Sequence, residues 1–429
     1  MQKRLIKNHT SIATTSLRKD AFSILEAGLQ AIETKQAVHR EVSLKKGVLR
    51  IGKNTFALKN YRRLFVIGIG KASLQAATAL EEILGDRIAD GIVLDVKKGP
   101  LKYLKSIAGT HPLPSFANIR ATGEIVGLLK AVDSHDLILT IVSGGGSALL
   151  CWPHQLECTD LTAVTTALMK HGATIQEMNT VRKHTSEIQG GQFVRLAYPA
   201  TVAGLIFSDV PGDDLSMVAS GPTYLDTTTA KDAKQILQKY HVLTVCKLTE
   251  CHLLETPKDP VLFEHVTNTC IVSNARATDA MMLQAKKLGY KPVFYSGALQ
   301  GEAREMGALF AGLVKPGEVL IAGGETTVQV RGTGTGGRNQ EFALGALAQV
   351  PVDTLVLSCA SDGIDHSPVA GAFADERVRE RARALRLKPE RFLEKNDAYP
   401  FFQKTNAFMQ TGQTGMNVSD LMLAIRARS

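Results

Sequence analysis

The chain has 429 residues, 44% of them hydrophobic, and at roughly 150 residues per domain this length predicts two to three domains. Lys and Arg number 50 against 41 Asp and Glu, a net charge of +9, but the charges are scattered and no basic run is interleaved with aromatic residues. This pattern excludes a nucleic-acid partner and favours a basic surface that attracts anionic substrates. No run of 18 apolar residues occurs, which excludes a membrane-spanning helix and predicts a cytoplasmic protein. The first 19 residues are basic and lack acids, which leaves mitochondrial targeting open.

The N-terminal half of the chain alternates predicted helices and strands. Apolar residues at helical spacing begin after Asp20, which is placed to cap that first helix. Strands are predicted at 64–69, 91–96, 137–142 and 201–208, and helices at 73–84, 117–132 and from 147 onward. Strands that alternate with helices at this spacing predict a parallel sheet with helices on both faces.

Weaker periodicity between residues 231 and 259 predicts a domain boundary. Beyond it, strands are predicted at 269–272, 293–295, 319–322 and 354–360, helices at 279–288, 302–314 and 339–348, and a hairpin-like segment at 327–330. We therefore expect an α/β protein with two Rossmann-like α/β domains and mostly parallel sheets, over residues 1–240 and 260–429. Packing of the last residues back on the first domain stays an open alternative.

Glycines follow two of the predicted strands directly. At Gly70 and Lys71 a strand leads into a helix, and bare backbone N–H groups beside a lysine attract anions, although tight strand–helix packing also explains the glycines. This turn is neither a complete P-loop nor a dinucleotide fingerprint. The second turn has three consecutive glycines, which indicate a closely approaching phosphate or carboxylate, with a ligand-free sharp turn as the alternative. Its residues are Ser143, Gly144, Gly145, Gly146 and Ser147.

A third glycine-rich loop covers residues 332–337 and ends in an arginine. The guanidinium can bind two oxygens of a phosphate or carboxylate, and linkers, the alternative interpretation, rarely end in Arg-Asn-Gln-Glu before an apolar helix. The candidate binding residues here are Glu325, Gly336, Gly337, Arg338 and Asn339.

Arg182 opens a run of three basic residues, Arg-Lys-His. Such a run usually forms a solvated face. Because two glycines follow at 190 and 191, the segment can also fold over a ligand, and Arg182 is a candidate binding residue.

Acidic residues follow two of the strands, in Ser-Asp-Val-Pro-Gly-Asp-Asp and in Ser-Asp-Gly-Ile-Asp. Carboxylates at the carboxyl ends of parallel strands lie where ligands bind, and their oxygens suit Mg²⁺. Ordinary turn chemistry is the alternative, since Pro-Gly and Asp-Gly are common in turns. The candidate metal ligands are Asp209, Asp213, Asp214 and Asp362, with Asp365 beside them.

Taken together and in this order, the motifs resemble the glycerate kinases of the MOFRL family, the class II glycerate 2-kinases. The resemblance covers nearly the whole chain from about Asp20. Its most specific stretches are residues 142–148, residues 208–223, residues 323–327 and residues 336–341.

The resemblance implies two α/β domains with an active-site cleft between them, and transfer of the ATP γ-phosphoryl group to glycerate, most often D-glycerate to 2-phosphoglycerate. It implies ATP and Mg²⁺ as cofactors, and Lys71 and Arg338 as catalytic residues. A glycerate 3-kinase and a hydroxypyruvate reductase stay open as alternatives, and so does a homodimer. In one departure, His366-Ser367-Pro368 replaces the family's Gly-Pro after Asp365, and this loop is one residue shorter.

Overall fold

The computed structural model describes residues 4–210, 212 and 214–428, without the side chain of Cys158. The chain divides into two compact units. We call residues 37–208 and 214–271 unit I, and the remaining described residues, up to Gln36, at 209–212 and from Val272 onward, unit II. No helix within the described residues is long and apolar enough to cross a membrane.

Unit I contains a small antiparallel sheet and a six-stranded sheet. The small sheet consists of β1 (Val42–Lys45), β2 (Val48–Ile51) and β3 (Asn54–Ala57). The large sheet consists of β4 (Arg63–Ile69), β5 (Asp90–Asp95), β6 (Lys105–Ala108), β7 (Asp136–Ser143), β8 (Thr201–Phe207) and β9 (Val266–Val272). Its order is β6-β5-β4-β7-β8-β9, and the pairs from β6 to β8 are all parallel. The predicted parallel sheet is therefore confirmed.

The helices of unit I either pack against this sheet or lie between its strands in the sequence. They are α4 (Ser73–Leu84), α5 (Phe116–Leu129), α6 (Gly146–Leu149), α7 (Cys158–Lys170), α8 (Ile175–His184), α9 (Gln192–Ala197), α10 (Ala230–Lys239) and α11 (Val242–Cys246). Short 3₁₀ turns lie at Leu58–Asn60, Gly85–Arg87, Leu215–Ser220 and Pro260–Phe263. Every residue of β7 is buried, as expected of a strand that is covered on both faces. The helix predicted from 147 onward is much shorter than expected, because α6 ends at Leu149.

Unit II has a second six-stranded sheet, which is mixed. Its strands are β10 (Lys291–Leu299), β11 (Glu318–Gly324), β12 (Thr354–Ala360), β13 (Gly371–Asp375), β14 (Phe408–Met409) and β15 (Asp420–Arg426). The order is β10-β11-β15-β12-β13-β14, and only β10–β11 pairs in parallel. This corrects the expectation of mostly parallel sheets, because the last strand, β15, is inserted antiparallel between β11 and β12.

Helices from both ends of the chain cover the sheet of unit II. They are α1 (His9–Ile12), α2 (Ser16–Ala31), α12 (Asn274–Lys287), α13 (Ala303–Leu313), α14 (Arg338–Leu347), α15 (Glu376–Ala384), α16 (Pro389–Glu394) and α17 (Ala398–Thr405); α3 (Thr34–Glu41) leads from unit II into unit I. Edge-to-face rings help to join these layers, with Phe22 against Phe373 at 5.2 Å and Phe310 against Phe342 at 5.3 Å.

Two local predictions in unit II are wrong. Asp20 does not cap the first long helix, because α2 begins at Ser16 and the Thr15 hydroxyl accepts the hydrogen bond from the backbone N–H of Arg18 at 3.1 Å. Asp20 instead accepts a hydrogen bond from the Tyr290 hydroxyl at 2.9 Å. The hairpin-like segment at 327–330 forms no strand, only an isolated bridge at Thr327.

Candidate functional site

In unit I the two glycine turns lie side by side, because β4 and β7 are adjacent parallel strands that end at the same edge. The backbone N–H of Lys71 donates to the carbonyl of Gly144 at 3.0 Å. The Ser143 hydroxyl donates to the carbonyl of Ile69 at 3.1 Å and accepts from the N–H of Ala72 at 3.2 Å. The two turns therefore form one hydrogen-bonded unit, in which Ser143 is a structural bridge.

Glycine is required at two points of this arrangement. Gly70 has φ +108°, and a side chain there would overlap the hydroxyl and carbonyl oxygens of Ser143. Gly145 has φ +80°, and a Cβ atom on it would lie 2.8 Å from Cε of Lys71 and 3.0 Å from Cδ2 of His111. The close approach of two side chains to the backbone explains why position 145 needs a residue without a Cβ atom.

Three nitrogen-bearing side chains lie around the second glycine turn: Lys71, His111 and Arg182. Lys71 and His111 flank Gly145, while Arg182 and Ser147 line a small cavity. Within the described residues, neither Lys71 nor Arg182 forms an ion pair. Positive charge at this turn is therefore not balanced by a neighbouring carboxylate, which favours an anionic ligand.

The electrostatics of this cluster follow from burial and mutual repulsion. Burial, then the charges of Lys71 and Arg182, lowers the pKa of His111, so that this side chain is neutral at neutral pH and keeps one ring nitrogen as an acceptor. Burial lowers the pKa of Arg182, which nevertheless stays protonated because a guanidinium does not lose its proton in proteins. The basic side chains of the cluster besides His111 are Lys71 and Arg182.

The helix that follows the triple glycine contributes less than the sequence indicates. With four residues, α6 has too small a dipole to create an anion site by itself. The Ser147 hydroxyl lies 2.9 Å from that of Ser220, which donates to Asn179 at 2.8 Å, and the carbonyl of Ser147 accepts from Gln189 at 2.9 Å. Ligand binding at Gly144, Gly145 and Gly146 would therefore depend mainly on backbone N–H groups and the adjacent cations.

In unit II, Arg338 begins α14 at the edge where β11 ends and β15 begins. Its Nε lies 2.5 Å and its Nη2 3.1 Å from the two carboxylate oxygens of Asp420, and its Nη1 lies 2.8 Å from Glu325. Asp420 is fully buried, whereas the Glu325 side chain is 48% exposed. The guanidinium is thus fixed from within the protein by a bidentate pair and contacted from outside by a second carboxylate.

The charges of this cluster shift each other's titration. Burial raises the pKa of Asp420 to about 6, against the opposing effect of its hydrogen bonds and ion pair with Arg338. For Arg338, burial lowers the pKa, but the hydrogen bonds and charge of Asp420, with Glu325 and Asp365, raise it overall. Arg338 is therefore always charged, while the pKa of Asp420 lies above the ordinary range of a carboxyl group.

Asp365 fixes the first turn of α14. Its carboxylate accepts hydrogen bonds from the backbone N–H groups of Asn339 at 3.2 Å and Gln340 at 2.9 Å, and from both side-chain amides. Asn339 also donates to Asp420 at 3.0 Å. Asp365 and Asn339 are therefore a framework that orients the helix start carrying Arg338, and Asn339 is occupied by it.

The glycine loop before Arg338 is held more firmly than its composition indicates. Asn396 accepts from the backbone N–H groups of Arg331 at 2.6 Å and Gly332 at 2.9 Å, and Asp397 accepts from that of Thr335 at 2.9 Å. At the end of the loop, a Cβ atom on Gly336 would meet Ala398 and Tyr399, and one on Gly337 would overlap Asp365. The glycines thus permit close packing of this loop onto its neighbours.

The predicted metal ligands make hydrogen bonds of their own within the described residues. Asp214 caps the turn at Leu215–Ser220 by accepting from Ser216, and Asp362 accepts from the N–H of Ile364 at 3.0 Å. The backbone carbonyl of Asp209 accepts from Ser419 at 3.2 Å. Asp213 lies outside the described residues. Among the residues the structure describes, no group of three His, Cys, Asp or Glu could hold a metal ion.

Sequence reasoning did not select two residues of these clusters, His111 and Asp420. His111 lies in a loop after β6, and Asp420 is separated from Arg338 by 82 positions. The available signal for Asp420 was a lone carboxylate at the start of an apolar strand, Asp-Leu-Met-Leu-Ala-Ile.

An α/β protein whose strand ends carry glycine turns beside unpaired cations is typical of enzymes that bind small anions. Comparison with known proteins refines this class. Residues 20–254 match a family described as "Domain of unknown function (DUF4147)", and residues 318–420 match the MOFRL family.

Relatives and a solved structure match almost the entire chain. A D-glycerate 2-kinase of Thermotoga maritima is 34% identical over 96% of this chain and 98% of its own. A putative hydroxypyruvate reductase of Agrobacterium vitis is 36% identical over 84% of this chain and 98% of its own. The crystal structure of glycerate kinase from Thermotoga maritima is 32% identical, with a TM-score of 0.85, and covers 96% of this chain and all of that one. The chain belongs to the MOFRL-family glycerate kinases, and it is a kinase.

Proposed function

We propose that this protein transfers the γ-phosphoryl group of ATP to the 2-hydroxyl of D-glycerate, giving 2-phosphoglycerate. The observation that carries the proposal is the 34% identity, over 96% of the chain, to a D-glycerate 2-kinase. The cation clusters described above support it, since phosphoryl transfer depends mainly on positioning and on neutralising charge. A cytoplasmic location and a homodimer stay predictions.

In unit I, Lys71 and Arg182 are the residues we propose to bind anionic groups of the reactants. Both lack an ion-pair partner among the described residues, and Gly144 and Gly145 between them are only partly buried. Lys71 is exposed and can follow a moving charge, whereas Arg182 is half-buried at the cavity. We propose Lys71 as a catalytic residue and Arg182 as a binding residue.

In unit II, Arg338 is the proposed catalytic residue. A guanidinium has five N–H donors, of which two are used by Asp420, while Nη1 faces Glu325 in an ion pair, so that N–H groups remain for phosphoryl or carboxylate oxygens. Glu325, Gly336 and Gly337 belong to the same proposed binding region.

Mg²⁺ is the proposed metal cofactor. Because no group of three acidic or histidine ligands occurs among the described residues, the ion would be held mostly by ATP oxygens and water with one or two carboxylates, which is the usual mode for Mg²⁺ in kinases. Exposed Asp362 and half-buried Asp209 fit this mode, while Asp214 is already used as a cap. When bound, the ion neutralises charge on the β- and γ-phosphates.

The test combines purified protein with ATP, Mg²⁺ and D-glycerate and identifies the product by ³¹P NMR. We expect ADP and 2-phosphoglycerate in equal amounts, with L-glycerate as the stereochemical control. A 3-phosphoglycerate signal would instead support the 3-kinase alternative. ADP without a phosphorylated acid, or no ADP at all, would contradict the proposal.

A hydroxypyruvate reductase is the second candidate, because a relative with that putative name is 36% identical. Hydride transfer from a nicotinamide cofactor usually needs a dinucleotide-binding turn, and the turn at Gly68-Ile69-Gly70-Lys71-Ala72-Ser73 lacks the third glycine of Gly-x-Gly-x-x-Gly. The discriminating measurement is NADH or NADPH oxidation with hydroxypyruvate, which we expect to be at background.

A further inference from the structure

A second basic feature of unit II lies apart from the Arg338 cluster in sequence. An open pocket of about 310 Å³ is formed by the segment after α15 and by α16 and the residues that follow it. Its charged and aromatic lining consists of Arg386, Lys388, Arg391, Phe392, Lys395 and Asp397. None of these residues belongs to the motifs selected from the sequence.

The charges that line this pocket are unbalanced. Four cations face one carboxylate, and within the described part of the chain none of the four forms an ion pair. The one carboxylate, Asp397, is already engaged, because its Oδ1 accepts from Thr335 at 2.9 Å. Glu390 and Glu394 lie on α16 but do not line the pocket. Like charges gathered around one opening raise the local positive potential, which a bound anion relieves.

The wall of the pocket also holds the glycine loop. The carbonyl of Lys395 accepts from Gly334 at 3.0 Å, and a Cβ atom on Gly332 or Gly334 would overlap or press against Lys395. Asn396 and Asp397 also accept hydrogen bonds from this loop, at Arg331 and Thr335. Three consecutive residues, 395 to 397, therefore hold the loop by hydrogen bonds. A ligand on the side chains of this wall would therefore act on the backbone that supports the loop.

We propose that this pocket binds a small anion with two or more phosphate groups, and that the bound anion stabilises the loop at residues 331–335. Arg386 and Arg391 supply planar guanidinium groups that match phosphate oxygens in pairs, and Lys388 and Lys395 supply point charges. None of the side chains of this pocket is among those assigned above to the proposed phosphoryl transfer.

The test uses inorganic pyrophosphate as the probe on the full chain. Titration calorimetry measures its affinity at low and high ionic strength, and hydrogen exchange measures protection of the amides at residues 331–335. The variant is Arg391→Gln with Lys395→Gln, which keeps the backbone carbonyl at 395. The matched control is Lys286→Gln with Lys287→Gln, two exposed cations at the end of α12 in the same unit.

We expect pyrophosphate to bind, to bind more weakly at high salt, and to slow exchange at residues 331–335. The pocket variant should bind pyrophosphate about tenfold more weakly or worse and should lose this protection, because it lacks two charge-assisted contacts to phosphate. The control variant should keep both the affinity and the protection. The proposal is overturned by absent binding, by binding without local protection, or by equal losses in the control.

Steady-state kinetics distinguishes two ligands that could supply the phosphate groups, ATP itself and a separate phosphorylated molecule. A KM for ATP that rises about tenfold in the pocket variant assigns the site to the nucleotide's own phosphates. An unchanged KM for ATP assigns it to a separate phosphorylated ligand. The calorimetric test needs no turnover. Its result can therefore be interpreted even if the protein lacks the proposed kinase activity.

Discussion

Replacing Asp420 by Asn should lower kcat while leaving KM for glycerate nearly unchanged. The buried carboxylate receives Nε and Nη2 of Arg338 and the Asn339 amide, and an asparagine offers one oxygen for these three donors. At least one charge-assisted hydrogen bond is lost, which costs about 1.5–3 kcal/mol. If that loss appears in the transition state, kcat falls roughly tenfold to hundredfold. Steady-state kinetics at saturating ATP measures it.

The pH dependence of kcat should also change in Asp420→Asn. Since the pKa of Asp420 is about 6, the wild-type carboxylate gains a proton as the pH falls through this value and loses its ion pair with Arg338. We expect kcat to fall below about pH 6 in the wild type, and this limb to be absent in Asp420→Asn.

The free energy of unfolding should depend on pH in the opposite direction from kcat. Because the folded-state pKa lies above the ordinary value of 3.8, the folded protein binds this proton more tightly than the unfolded chain does. The stabilisation from Asp420 protonation is complete below pH 3.8 and is lost as the pH rises through about 6. Urea denaturation on either side of this window should show a smaller pH dependence in the Asn variant.

Asp375→Asn is the matched control for Asp420→Asn. Asp375 forms another largely buried bidentate pair with Arg18 in unit II, at 2.6 and 2.9 Å. Its loss should lower stability about as much, because both substitutions break a buried pair, but should leave kcat unchanged. The reasoning is refuted if Asp420→Asn keeps wild-type kcat, or if Asp375→Asn reduces kcat equally.

Three further predictions concern the glycine turns and the metal. Lys71→Ala should lower kcat on the order of 10²-fold with an unchanged Tm, since the side chain is exposed; exposed Lys53→Ala is the control, and near wild-type turnover would remove Lys71 from the mechanism. Gly145→Ala should lower the unfolding free energy by about 1 kcal/mol or more, because φ is +80° and the new methyl group meets Lys71 and His111; an unchanged urea midpoint would contradict this. Activity should vanish in excess chelator and return with Mg²⁺, and full activity in chelator would refute the metal requirement.

Local patterns were sufficient to predict most strands of the large sheet in unit I, but not the helices from α7 to α11. The strands at 63–69 and 136–143 are mostly apolar and are followed directly by glycines, which is the pattern of a buried parallel strand before a turn. The small sheet of β1, β2 and β3 was missed because its strands have four residues each and only partly alternate. Such short segments carry too little periodicity to be separated from loops.

The topology of unit II depends on information that no local window contains. The run at 420–426 is apolar enough for a buried strand, but nothing within it specifies that it enters antiparallel between two strands that lie much earlier in the chain, at 318–324 and 354–360. The same limit applies to the site. Arg338 stands out because of the glycines beside it, whereas its partner Asp420 becomes visible only when β15 brings it to the end of β11.

The two carboxylates on Arg338 differ in how easily a ligand can replace them. Asp420 is fully buried, is bound through two oxygens and also receives Asn339, so that removing it would leave an unpaired charge inside the protein. Glu325 makes one contact at 2.8 Å from a side chain that is 48% exposed, and exposed pairs contribute little, about 0–1 kcal/mol. An incoming phosphoryl or carboxylate oxygen should therefore displace Glu325 and leave Asp420 in place. Arg338 then meets its ligand in an orientation already fixed from the opposite edge of the guanidinium, which limits the ordering cost of binding.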